Sequence, residues 1–187
     1  MTEIIKLDRH LFKLINTDWN NAFFDFIMPT LRHSHLWVPL YLFLLVFVLV
    51  NFKKNVLLWI LFAVALASLM DILSSHIIKE YIFRLRPCND NSLIPPARLL
   101  LSYKPQSSSF TSSHATNHFA MAMFFYLTLK QHIGRWALLF FLWAGTIIYA
   151  QVYVGVHFPL DVLGGAFVGV VFGYLFAYIY NRYLKLA

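Results

Sequence analysis

Five stretches of this chain, residues 36–52, 56–78, 114–129, 136–156 and 162–180, are almost free of charge. A helix needs about 20 apolar residues to cross a hydrocarbon core about 30 Å thick, and each stretch meets or approaches that length. Only Asp71, in the second stretch, puts an acid deep inside one of them. Over the whole sequence 60% of residues are hydrophobic and 12% are charged, against roughly 45–50% and 25% in soluble domains. Too few polar residues remain to cover a water-facing domain, and the chain is far too apolar for disorder. The expected fold is therefore all-α, an integral-membrane helical bundle of about five transmembrane helices. One domain should span residues 1–187, with the bundle at 36–180 and interfacial segments at 1–31.

Ahead of the bundle, Ile4, Leu7, Leu11, Leu14 and Ile15 recur at helical spacing, with Lys6, Arg9 and Lys13 elsewhere. This pattern predicts an amphipathic helix lying on a membrane surface. Residues 19–31 are too short to span and predict a second interfacial piece or a shallow re-entrant turn. The opening sequence is too charged for a signal peptide. Residues 84–113 hold four prolines and a serine run, which predicts a loop outside the hydrocarbon.

The formal charge is +7, but the cations are scattered among apolar runs rather than clustered on a polar surface. Nucleic acid is not the expected partner; the lipid bilayer and a phosphorylated membrane lipid are. Lys53, Lys54, Lys130, Arg135, Arg182 and Lys185 fall on one face of the bundle, with no acid among them. The positive-inside rule assigns that face to the cytoplasm. The lone Cys88 excludes an intramolecular disulfide.

Three polar clusters fall on the opposite face. In the first, from Lys79 to Pro87, Lys79 and Arg86 are two helical turns apart and are expected to share a face, with the helix ending at Arg86 before Pro87. Two convergent cations suit a phosphate, although cations snorkelling at an interface give the same pattern. The second runs from Ser107 to His118. Ser112 is a natural N-cap, and the first turn that follows, with Ser113 and His114, presents free amides to an anion. His114 and His118 have metal-ligand spacing, but no glutamate base or third ligand accompanies them. No metal or other cofactor is expected, and His118 reads better as a packed core histidine. In the third, from Tyr149 to Gly165, Pro159 suits a first helical position and places Asp161 in the first turn. Asp161 can then reach back to His157, fixing its tautomer and making its free nitrogen more basic. Alone, such a pair more often closes a loop than performs chemistry. Together, cations, a helix N-terminus, a second histidine and a His–Asp pair on one membrane face are the parts of a phosphoryl-transfer site. Asp71 is expected to pair with a neighbouring helix.

These residues resemble the type 2 phosphatidic acid phosphatase superfamily, which also includes the vanadium haloperoxidases. Its pattern has a Lys six residues before Arg-Pro, then Pro-Ser-Gly-His, then Ser-Arg, five residues, His, three residues, Asp. Lys79, Arg86 and Pro87 match the first part fully. Ser112 and His114 match the second, and His157 and Asp161 the third. The resemblance implies that His157 is the nucleophile that forms a phosphohistidine, Asp161 its orienting partner and His114 the general acid. It implies phosphate contacts from Lys79, Arg86, Ser112 and the backbone near Ser113, no metal, and a lipid phosphate or diphosphate substrate. It also implies an active site on the outer, periplasmic face of a bacterial inner membrane. Polyprenyl diphosphate, phosphatidylglycerol phosphate, phosphatidate and lipid A phosphates are all candidates, the small size slightly favouring the first. The oligomeric state is left open.

Three positions depart from the pattern. Gln151 stands where the family has Arg, so a charged phosphate contact is missing, at a cost of about 10²–10³ in rate by analogy with other preorganised donors. Arg84 or Arg98 from the loop is the expected compensating cation. Ser113 replaces Gly and is expected to crowd the approach of phosphate, and Thr111 replaces Pro. These departures keep a second reading open, a non-catalytic descendant that binds a phospho-lipid or conducts ions. Gly165, Gly169, Gly173 and Ala177 repeat every four residues, spacing that seats a membrane helix closely, within its own bundle or against a second copy.

Overall fold

The computed structural model describes residues 2–187, and no strand occurs among them. Helix α1 covers Glu3–Lys13 and continues through a wider π-helical turn at Leu14–Asp18. Asn21 caps α2, Ala22–Leu31, by accepting the Phe24 amide at 2.9 Å. A 3₁₀ turn at Ser34–Trp37 leads into α3, Val38–Asn51. Then come α4, Val56–Ile72, a π-helical turn at Leu73–Ile78 and the short α5, Lys79–Tyr81. Beyond the loop lie α6, Ser113–Ile133, α7, Leu139–Tyr153, and α8, Pro159–Tyr183.

Four continuous helical runs are long and apolar enough to cross a membrane, Ser34–Asn51, Val56–Tyr81, Ser113–Tyr153 and Pro159–Tyr183. The third has 41 residues, and at 1.5 Å per residue it would reach about 60 Å if straight, twice the hydrocarbon thickness. It does not stay straight. Gly134, at φ +59°, opens a 3₁₀ turn over Gly134–Leu138. The chain then folds back, so that Phe119 and Tyr126 of α6 both pack on Phe141 of α7, and Phe125 packs on Phe140. The bundle thus makes five crossings, α3, α4, α6, α7 and α8.

The turns between crossings sort onto two ends. The Lys53 and Lys54 amides donate to the Ala187 carbonyl at 2.8 Å, and Phe52 meets the His132 ring at 4.6 Å. The acid-free connections and the C-terminus therefore share one end. The other end gathers the C-terminal ends of the α4–α5 run and α7, the N-terminal ends of α6 and α8, and the long loop.

The pair α6–α8 is the tightest in the molecule, because α8 has no side chain where the helices cross. A Cβ on Gly165 would lie 2.7 Å from the Ser112 carbonyl oxygen, and one on Gly173 would lie 2.9 Å from the Met123 Cβ. A Cβ on Gly169 would run into backbone atoms of Thr116 and Ala120. The small-residue stripe therefore faces α6 of its own chain, and two membrane helices pack backbone to backbone.

Helix α1 has two faces. Ile4, Leu7 and Leu11 point outward, while Asp8 and Phe12 are buried. Phe12 packs edge-on against Phe158, 5.2 Å between centroids. Ile15, which shares the spacing of Ile4, Leu7 and Leu11, packs inward against the clusters around Phe12 and Tyr153.

One predicted boundary is wrong. The helix carrying Lys79 ends at Tyr81, not Arg86, so Lys79 and Arg86 do not share a helical face. Ser108 explains the early end: its hydroxyl donates to the Ile82 carbonyl at 2.7 Å and accepts the Arg84 amide at 3.1 Å. A loop side chain takes over the backbone groups that the next helical turn would have used. Arg86 itself is extended before Pro87 (φ −73°, ψ 151°), as the proline requires.

Candidate active site

The polar end is built around a buried carboxylate. Asp161 is fully buried in the first turn of α8. Its Oδ1 accepts Arg84 Nη1 at 2.6 Å, and its Oδ2 accepts the Ser109 hydroxyl at 2.5 Å and the Phe158 amide at 2.8 Å. Reaching back to the N-cap amide is the carboxylate half of a capping box, so the sequence signal for a helix start also anchors the site. Arg84 bridges onward to the buried Asp8 of α1, whose other oxygen accepts the Leu160 amide at 2.8 Å. Burial alone would lower the pKa of Arg84, but Asp161 and Asp8 outweigh it and hold the guanidinium above its ordinary value. Its face also covers the Phe158 ring, 4.4 Å from the centroid.

His157 lies on the short connection between α7 and α8. Gly155, at φ +87°, makes that turn in a conformation side-chain-bearing residues avoid, and a Cβ there would collide with the Arg98 carbonyl. His157 Nδ1 is 3.8 Å from Asp161 Oδ2 and 3.4 Å from the Ser109 hydroxyl. The first distance exceeds hydrogen-bond length, so Ser109 sits in the contact between the two. On the other side of the ring, Arg86 Nη1 is 3.1 Å from His157 Nε2. A guanidinium only donates, so Nε2 must present its lone pair and the ring proton belongs on Nδ1, toward Ser109 and Asp161. Burial pushes the His157 pKa from 6.5 down to about 4; Asp161 raises it, and the Arg86 and Lys79 charges lower it again. The expected gain in basicity from the carboxylate is therefore outweighed, and the ring is neutral at pH 7.

Arg86 is itself buried and held on three sides. Nε donates to the Ser107 carbonyl at 2.9 Å, Nη2 to the Ser107 hydroxyl at 3.0 Å, and Nη1 to the Val156 carbonyl at 3.1 Å. Burial lowers its pKa below the ordinary arginine range. The serine run of the loop thus wraps the first motif around the third.

The remaining predicted residues gather at the start of α6. The Ser112 hydroxyl accepts the Ala115 amide at 3.4 Å, the expected cap, and its amide donates to the Asp161 carbonyl at 3.2 Å. Lys79 Nζ donates to the Ser113 hydroxyl at 2.8 Å, and Ser74 donates to the same oxygen at 2.7 Å. The Ser113 hydroxyl is thus held by the π-helical turn and α5. His114 and His118 stack with rings 7° from parallel and centroids 6.1 Å apart. His118 is a packed histidine: Nδ1 donates to the His114 carbonyl at 2.8 Å, and the ring abuts Trp143 at 5.1 Å. Among the described residues no group of three His, Cys, Asp or Glu side chains is placed to hold a metal. Asp71 accepts a hydrogen bond from Ser75 of its own helical run at 3.3 Å rather than pairing with a neighbouring helix.

Gln151 is fully buried in α7, and neither its Oε1 nor its Nε2 has a hydrogen-bond partner among the described residues. The two cations expected to replace the missing family Arg are occupied elsewhere. Arg84 carries Asp8 and Asp161, and Arg98 pairs with Asp25 at 2.5 Å and with the Asn16 carbonyl at 2.9 Å. Sequence reading missed Asp8 and Ser109. Each is a single polar residue in an already polar segment, and only the folded contacts distinguish it.

A cavity of about 700 Å³ opens between α3, α4 and α6. Leu44, Ile60, Val64 and Met121 line its depth, and it meets the polar cluster at Ser113 and His114. His157, Arg86 and Lys79 do not line it; they sit beyond its polar end.

A lipid A 4'-phosphatase of Bacteroides thetaiotaomicron is 31% identical over 166 residues, covering 87% of this chain and 72% of that protein. An undecaprenyl-diphosphatase of Sulfolobus acidocaldarius is 33% identical over 162 residues, covering 85% and 71%. The crystal structure of a transmembrane PAP2-type phosphatidylglycerolphosphate phosphatase from Bacillus subtilis superposes with a TM-score of 0.71 at 21% identity, over 98% of this chain and 89% of that one. The sequence profile of the PAP2 superfamily matches residues 56–185, from the start of α4 to the end of the bundle and across all three motifs, and this chain belongs to that superfamily.

Proposed function

We propose that the protein is an integral-membrane phosphatase that hydrolyses a phosphate or diphosphate carried by a lipid. The observation that carries this reading is the His157 ring, buried, neutral and held with its Nε2 lone pair against the Arg86 guanidinium. A nucleophile and a phosphate-binding cation then share one point in space, and entry of a phosphoryl group between them replaces a weak contact with a charge-assisted one. Two relatives, 31% and 33% identical to this chain over the aligned residues, are named for action on lipid-borne phosphates.

In this reading Nε2 attacks phosphorus, the phosphorus–oxygen bond to the lipid breaks, and His114 gives its proton to the departing oxygen. Water, losing a proton to His114, then cleaves the phosphohistidine and releases inorganic phosphate. Arg86, Lys79, the Ser112 hydroxyl and the first-turn amides of α6 stabilise the phosphoryl oxygens. Asp161, with Ser109 between, keeps the proton on Nδ1 and stabilises the charge that builds on the ring. Gln151 belongs to the phosphate side of the site. The cavity between α3, α4 and α6 takes the lipid chain, leaving its phosphate at Ser113 and His114. No metal takes part, and the site faces the periplasm, opposite the acid-free cationic end.

The test is phosphate release by purified protein in detergent, with chelator present, from lipid A 4'-phosphate, polyprenyl diphosphate, phosphatidylglycerol phosphate and phosphatidate. Release from at least one, abolished in His157→Ala, is the expected result. No release from any of them would overturn the assignment, and loss of activity on adding chelator would overturn the metal-free chemistry.

A further inference from the structure

With Gln151 in place of the family Arg, the site is one cation short, and a residue outside all three motifs answers for it. Arg32 closes α2 at its C-terminal end. It is only 6% exposed, yet among the described residues it has no carboxylate partner. Among the described residues its Nε has no hydrogen-bond partner, and Nη1 and Nη2 reach only the Tyr103 hydroxyl, at 3.4 and 3.3 Å. A buried guanidinium so poorly satisfied is costly unless something else completes it.

Its surroundings say what that is. Met28, one helical turn before Arg32, packs with Ala150 and Val154, which flank Gln151 along α7. Trp37, just after Arg32, donates its indole to the Leu31 carbonyl at 2.9 Å and packs against Trp143, which in turn abuts His118. After burial, the Arg32 charge is among the causes that hold the Arg86 pKa down. The Gln151 side-chain amide is likewise buried without a partner among the described residues. Among the described residues Arg32, Arg86 and Lys79 make no ion pair, and Asp71 reaches the Lys79 contact only through Ser75 and Ser113.

We infer that Arg32 supplies the charged phosphate contact that Gln151 cannot make, so that this chain grips the phosphoryl group with a cation delivered from its N-terminal interfacial helices. This rests on the phosphatase reading above, but its central test does not need turnover. The ligand is the phosphoryl group itself, whether free or on a lipid, and the unpaired Nε with its adjacent Nη offers it a fork.

The experiment measures thermal unfolding of the purified full chain in detergent against increasing inorganic phosphate, for wild type, Arg32→Gln and Arg32→Lys. Phosphate should stabilise the wild type, and the half-maximal concentration should rise about tenfold or more in Arg32→Gln, the usual scale for one charge-assisted contact. Arg32→Lys should fall between, keeping the charge but not the fork. Where turnover is measurable, Arg32→Gln should lower kcat/KM about 10²-fold and weaken inhibition by phosphate in parallel. A folded Arg32→Gln protein with an unchanged phosphate midpoint would overturn the inference, as would a wild type that phosphate does not stabilise. A lowered melting temperature with the midpoint unmoved would also overturn it, assigning Arg32 a packing role only. If phosphate binds as expected but no lipid phosphate is hydrolysed, the phosphatase reading fails and the Arg32 contact stands.

Discussion

The two sides of His157 are built on opposite principles. On the Nδ1 side the charged groups complete one another: Asp161 accepts from Arg84, Ser109 and the Phe158 amide, and Arg84 also pairs with Asp8. Toward α2 and α7 the reverse holds. Gln151, Arg32, Asn117, His118 and Trp143 all bury polar atoms without partners among the described residues. The difference separates two tasks. The orienting half must be rigid before substrate arrives, so its hydrogen bonds are closed within the protein. In the proposed function the receiving half binds an anion: Arg32 Nε, Gln151 Nε2 and Trp143 Nε1 are donors left unspent for it, whereas Asn117 Oδ1 and His118 Nε2, the latter with its ring proton on Nδ1, are acceptors.

The sharpest way to break this contrast is to remove the proposed nucleophile between the halves. His157→Ala should lower lipid-phosphate turnover by about 10⁴-fold or more, the scale for losing one member of a unit that acts together. Asp161→Asn strikes the closed half. It should cost about 10³–10⁴ in kcat because the amide can stabilise the wrong tautomer, and KM should change little. Ser109→Ala leaves the carboxylate in place but removes the hydroxyl between it and the ring. A drop of about tenfold in kcat is expected, one hydrogen bond's worth. If it matches Asp161→Asn instead, the serine is the true orienting group.

The open half predicts a smaller effect in the other sense. Gln151→Arg should not raise turnover if Arg32 already fills the role. A modest loss, about twofold to tenfold, is expected from two like charges competing for one place. A clear gain in kcat/KM would mean that the place was empty. The pH dependence sharpens the same point. With His157 depressed to about 4, the free-base nucleophile persists throughout the neutral range and is lost only as pH falls through that value. Because Arg86 disfavours the charged ring, Arg86→Gln should move this acid limb to higher pH, besides lowering kcat/KM about 10²–10³-fold. The check is a profile of kcat/KM against pH for both proteins.

The crossings were legible because lipid leaves little choice: uncharged runs of membrane length read directly as helices. Even there, the 41-residue run shows that helical continuity alone would have miscounted them, and Gly134 resolves it. His157, Asp161, Arg86 and Lys79 were legible because their spacing within short motifs survives in sequence. The end of the α4–α5 run was not, since it is set by Ser108, a residue 26 positions beyond Ile82. Asp8 and Arg32 were hidden for the same reason. Each looks like an ordinary interfacial charge until the fold buries it, and no local pattern marks which charges will be buried.

The glycine contact between α6 and α8 has a bearing on how substrate is met. His114 rides on one of these helices, and Asp161, which steadies His157, on the other. The span between the proposed acid and the proposed nucleophile is therefore set by main chain lying on main chain, down to the Ser112 amide on the Asp161 carbonyl. Such a ruler does not stretch when side chains elsewhere repack or when the bilayer thickens. A lipid must bring its phosphorus to a fixed gauge, and discrimination among lipids falls to the walls that guide it there.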